Sequence, residues 1–131
     1  MKKILEHPPI VKQILNAEHL LATIVIALFF VQVTKYEWWW LVVLFPIVDI
    51  SMVGYLLSKS FGAALYNVGH SVIGPTLLVG AFILTDSDLA LFASLVWLFH
   101  IFADRTLGYG LKHSTGFGHT HLGRIGKSAK K

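Results

Sequence analysis

The chain has 131 residues and a formal charge of +4, from 11 Lys and Arg against 7 Asp and Glu. That length bounds it to one domain, and its 14% of charged residues is about half the share of a soluble domain. The 55% of hydrophobic residues excludes disorder, and the lack of cysteine removes disulfides, iron–sulfur clusters, thiolate metal sites and cysteine nucleophiles.

A bilayer core about 30 Å thick needs about 20 apolar residues of helix, and four stretches qualify. The first predicted span covers about residues 18–34; Pro8 and Pro9 allow its helix to begin near Ile10. Lys2 and Lys3 fit the start of a signal peptide. The apolar run comes late, however, and follows Glu18 and His19 with no clear cleavage site, so it reads as a retained helix. The second span covers about 38–57. Trp38, Trp39 and Trp40 lead it, and with Tyr36 they form an aromatic belt at the membrane interface. The third covers about 61–84 and contains Gly and Pro, which membrane helices tolerate. The fourth covers about 89–106, and a basic, Gly-rich tail of residues 107–131 follows. Short links at 34–37, 58–60 and 85–88 make successive helices antiparallel neighbours. The expected architecture is all-α: a single-domain, integral membrane, antiparallel four-helix bundle.

Orientation follows from Lys and Arg. One side carries Lys2, Lys3, Lys12, Lys59, Arg105, Lys112, Arg124, Lys127, Lys130 and Lys131; the other carries only Lys35. The expectation is a multi-pass protein of the inner (plasma) membrane with both termini cytoplasmic. Membrane lipids with anionic headgroups are the expected partners of the tail, rather than nucleic acid, and a homodimer is compatible with the size. Tyr109, Leu111, Phe117 and Leu122 are too apolar for a free linker, so the tail should fold back over the mouth of the bundle.

Ionisable residues inside a membrane span are functional candidates by default. At 1.5 Å per residue, Asp49 lies about 12 Å from the inner end of its span and His70 about 13 Å. His100 and Asp104 lie at about 8 Å and 2 Å, so the four share one half of the bundle. Asn67 and His70 are three apart and His100 and Asp104 four apart, so each pair stacks on one helix face. His-x-x-x-Asp suits metal ligation. Asp49, His70, His100 and Asp104 form a four-ligand set, with Glu18 as a fifth ligand or an orienting group. A mixed His and carboxylate set suits zinc, iron or manganese; magnesium prefers oxygen alone. The alternative is that the same groups pair with one another and lock helices together.

The segments VDISMVGYL, GAALYNVGHSVIGP and WLFHIFADRTLGYGLKHSTGFGHTHLGRIG resemble the family of small bacterial membrane proteins termed DUF4260, over about residues 14–126. The resemblance implies positions rather than an activity: Glu18, Asp49, Tyr55, Asn67, His70, His100, Asp104, Arg105, Tyr109, Lys112, His121 and Arg124. Family members tend to place Pro directly before the Asp of the second span, whereas here Pro46 lies three residues upstream of Asp49. The layout of Asp and His is also similar, by arrangement alone, to that of membrane-embedded metal-dependent hydrolases.

Three functions compete. In the first, a metal on Asp49, His70, His100 and Asp104 activates water, and Glu18 or Asp49 serves as base. Arg105 assists, while Asn67, Tyr109, Lys112, His121 and Arg124 hold a lipid-like substrate by a phosphate or carboxylate headgroup. In the second, the chain is a proton-coupled transporter or ion carrier. In the third, it is a structural subunit.

Overall fold

A computed structural model describes residues 7–127. Lys2, Lys3, Lys130 and Lys131, counted above in the charge bias, lie outside the described residues. Helix α1 spans Pro9–Val33, with proline at its first turn where a missing N–H costs nothing. Helices α2 (Trp40–Val43) and α3 (Phe45–Asp49) lead into a 3₁₀ segment, Ile50–Leu56. Helix α4 is Lys59–Gly69, α5 is Ile73–Thr85 and α6 is Asp88–Thr106. Ser58 caps α4 by accepting from the Phe61 N–H, and Ser87 caps α6 by accepting from the Ala90 N–H. Asp86 ends α5 in the left-handed conformation, which Asp tolerates.

The chain is therefore almost wholly helical, and three of its stretches are long and apolar enough to cross a membrane: Pro9–Val33, Lys59–Thr85 and Asp88–Thr106. Their outward residues, among them Val25, Leu28, Leu77, Ile83 and Leu84, are exposed and apolar, as faces turned to lipid are. Helix α6 is the hub, packed against both α1 and α5, while α4 packs along the 3₁₀ segment.

The second and third spans are not the continuous helices that hydropathy alone draws. Pro75 cannot donate to the Ser71 carbonyl and its ring crowds that position, so the third span breaks at 70–72 and restarts as α5. Pro46 acts in the same way on the second span, which divides at Leu44. That span, Trp40–Leu56, then tightens into 3₁₀ geometry. Its nine α-helical residues and the Leu44 link at about 1.5 Å each, with seven 3₁₀ residues at about 2.0 Å, give a contour of about 29 Å. The 3₁₀ rise thus lets a short segment approach the thickness of a bilayer core.

The apolar core lies at one end. Phe30, Leu41, Leu91, Leu95 and Val96 are buried together, with Tyr36, Trp40 and Phe92 packed on them. At the other end the segment after α6 folds onto the helices. It carries a small hairpin of β1 (His119–Thr120) and β2 (Gly123–Arg124), and Lys112 bridges to Thr120. Phe117 meets the rings of Tyr55 and Tyr66. Asn67 fastens the segment: its Oδ1 accepts from the Lys112 N–H (2.6 Å) and its Nδ2 donates to the Lys112 carbonyl (2.9 Å).

Candidate metal centre

Two breaks and one continuous helix build the site. Asp49 ends α3 where the backbone turns 3₁₀, and His70 caps α4 where Pro75 interrupts the third span. His100 and Asp104 lie one turn apart on α6. Irregular backbone at membrane depth is tolerated where it lines a protein interior, and here each break presents a polar side chain inward. The 3₁₀ segment can approach α4 closely because the seam between them is glycine. A Cβ on Gly62 would lie 2.7 Å from Tyr55 Cα, and one on Gly69 would lie 2.7 Å from Ser51 Oγ.

The four side chains converge. His70 Nε2 lies 3.5 Å from Asp49 Oδ1 and 3.4 Å from Asp104 Oδ2; His100 Nε2 lies 3.5 Å from each. The two Nε2 atoms are 3.1 Å apart. All four ligand atoms fall within 4.8 Å of one another. Ligands about 2.1 Å from a tetrahedral zinc lie about 3.4 Å apart, so five of the six edges already match. His100 is completely buried and His70 nearly so.

The outer nitrogens decide the tautomers. His100 Nδ1 lies 2.7 Å from the Phe45 carbonyl, and His70 Nδ1 lies 3.0 Å from the Tyr66 carbonyl. A carbonyl only accepts, so each Nδ1 carries a proton, and in its neutral form each ring would turn a lone pair at Nε2 toward the other. Two such lone pairs 3.1 Å apart would repel unless a metal ion or a proton lies between them. The Nδ1–H to carbonyl bond is the arrangement that fixes a metal-ligating histidine.

Other groups support the four. The Tyr66 ring stacks on His70 at 3.7 Å and its O–H donates to Asp104 Oδ2 (3.4 Å). Ser51 Oγ donates to the Val48 carbonyl and lies 3.4 Å from His70 Nδ1. Sequence reasoning passed over both residues. Tyr66 stands one turn before His70 and Ser51 two residues after Asp49, so helical spacing from the candidate ligands was the available signal.

The remaining candidates separate. Arg105 Nη2 donates to the His70 carbonyl (3.4 Å), so it braces the break that presents His70. Tyr109 walls a cleft of about 280 Å³ with Asp49, Met52, Tyr66, Asp104 and Phe117. Lys112 is buried among the Tyr66, Tyr109 and Phe117 rings. Burial pushes its ammonium down to about 8, with the Asp104 carboxylate partly offsetting the shift. Asn67 is committed to the backbone of Lys112, as above. His121 Nδ1 accepts from the Leu111 N–H (2.8 Å) inside the folded tail. Arg124 lines a different groove with Lys12 and Asn16 of α1. Glu18 is exposed on α1 and is not among the converging ligands.

The model of the family described as "Domain of unknown function (DUF4260)" matches residues 12–125, and the chain belongs to that family. No curated protein and no solved structure matches it.

Proposed function

We propose that Asp49, His70, His100 and Asp104 hold a divalent transition metal. We further propose that the chain is a metal-dependent membrane enzyme of hydrolase type, acting on a lipid-like or amphiphilic substrate at the cytoplasmic leaflet. The observation that carries this reading is the pair of Nε2 atoms 3.1 Å apart between two carboxylates. Two nitrogens and two oxygens in near-tetrahedral spacing favour zinc, with iron or manganese as the other ions of matching chemistry. When bound, such an ion supplies Lewis acidity and lowers the pKa of water it binds.

The chain's own residues supply the rest. Asp49 is the ligand most open to the cleft, with its side chain 36% exposed. Its Oδ2 makes no hydrogen bond among the described residues, which supports a role in holding a proton taken from water. The Tyr66 hydroxyl fixes Asp104, and Arg105 fixes the His70 backbone. Tyr109 and Phe117 give the cleft an apolar roof for the hydrocarbon part of the substrate.

Assays on the protein in bilayer nanodiscs with amphiphilic esters and phosphoesters test this reading. Hydrolysis should stop on chelation and return with zinc. A metal-loaded chain without metal-dependent turnover, which instead moves protons with a solute across liposomes, contradicts the enzyme reading in favour of a carrier.

A further inference from the structure

Behind the aromatic walls of the cleft beside the metal centre lies a charge that the metal centre does not use. Lys112 is 5% exposed, and its Nζ has no hydrogen-bond partner among the described residues. A buried ammonium without a partner is costly. Its surroundings are the rings of Phe117, Tyr66 and Tyr109, with centroids 4.0, 4.9 and 5.5 Å from Nζ. Cation–π contacts at these distances are favourable but do not neutralise a charge. The same three rings wall the cleft that reaches Asp49 and Asp104.

Two neutral imidazoles and two carboxylates sum to −2, and a divalent ion cancels them. Lys112 and Arg105 then leave the region positive. Arg105 is turned to the His70 carbonyl, which leaves Lys112 as the cation packed against the rings that wall the cleft. An ammonium is a point charge suited to one oxygen of a phosphate, whereas a planar carboxylate is best matched by an arginine fork.

We infer that Lys112 is the receptor for a phosphate group, so that the ligand of this cleft carries phosphate between Nζ and the metal centre. The inference rests on the metal reading above and narrows its substrate to phosphate-bearing compounds. The tail thereby contributes a binding residue to the site. Asn67 holds the backbone of that residue in place with two hydrogen bonds.

The test uses the full chain loaded with cobalt in phosphatidylcholine nanodiscs, with orthophosphate as probe and the visible cobalt bands as readout. Orthophosphate should shift the bands saturably. Lys112→Met should keep its cobalt but need at least about tenfold more phosphate, as for loss of a charge-assisted hydrogen bond. Lys112→Arg should recover most of the affinity. Replacing part of the lipid by phosphatidic acid separates the sources. A shift without added orthophosphate marks a lipid headgroup, a shift with orthophosphate alone marks a soluble phosphate compound, and both support the receptor.

A cobalt-loaded chain that ignores phosphate, or a Lys112→Met chain that binds it as the wild type does, overturns the inference. A chain that takes up no cobalt defeats the metal reading itself and is told apart by its metal content. Should Lys112→Met fail to fold, a structure of the wild-type metal form with phosphate decides. A phosphate oxygen within hydrogen-bond reach of Nζ supports the inference, and phosphate bound elsewhere overturns it.

Discussion

Replacing His100 by alanine is expected to abolish retention of metal and to cost about 3–5 kcal/mol of stability, the range for emptying a buried site and breaking a buried polar network. The ring is fully buried and packs against Phe45 with centroids 4.2 Å apart. Its Nδ1–H satisfies the Phe45 carbonyl. Without the ring, that carbonyl loses its side-chain donor, and His70 and both carboxylates lose a neighbour about 3 Å away that would share a cation with them. Loss of a supporting group typically costs 10–100-fold in metal affinity, and loss of a ligand costs more. Glu18→Ala is the control: Glu18 is exposed and apart from the cluster, so metal content and melting temperature should hold. A His100→Ala chain with wild-type metal content would remove His100 from the ligand set.

Gly62→Ala is expected to destabilise by about 1–3 kcal/mol, the usual cost of overpacking a tight interface, and to weaken metal binding without touching a ligand. The added methyl would run into the Tyr55 ring and lie 2.7 Å from Tyr55 Cα. The ring could rotate away, but the clash with the Tyr55 backbone is relieved only by moving the 3₁₀ segment off α4. Gly54 lies in the same seam, where its Cβ would come 3.1 Å from Gly62 Cα, so the shift would spread along it. That motion draws Asp49, at the start of the 3₁₀ segment, away from His70, at the end of α4. Gly80→Ala makes the matched comparison. Nothing lies within 4 Å of its Cβ, and alanine is the better helix former. Thermal melts and zinc titrations of the two variants should diverge. If Gly62→Ala melts and binds as the wild type does, the glycine seam is not what positions Asp49.

The convergence of Asp49, His70, His100 and Asp104 was legible in the chain because depth in a membrane helix is a count of residues. Inward facing follows from the cost of a charge in lipid. The family was legible in the segments around the same residues. Hydropathy also located the three long apolar stretches, but it reports composition and not backbone continuity. It passes over the breaks at Leu44 and at 70–72, which Pro46 and Pro75 impose.

The tail was the least readable part. Its position depends on pairs far apart in sequence, such as Asn67 with Lys112 and Tyr55 with Phe117. No local pattern encodes that pairing. Charge alone grouped Lys112, His121 and Arg124 into one binding surface. The fold divides them: Lys112 is buried against the aromatic rings of the cleft, His121 is tied to the Leu111 backbone, and Arg124 lines a groove against α1.

The central claim is that the four side chains hold a metal ion, and elemental analysis of the purified wild-type chain tests it most directly. The chain should carry zinc, iron or manganese at one ion per chain, or take up zinc to that level on dialysis, with the ion lost from His70→Ala. A folded wild-type chain that remains metal-free after dialysis against zinc would contradict the account. The Nε2 pair would then have to share a proton in place of a metal.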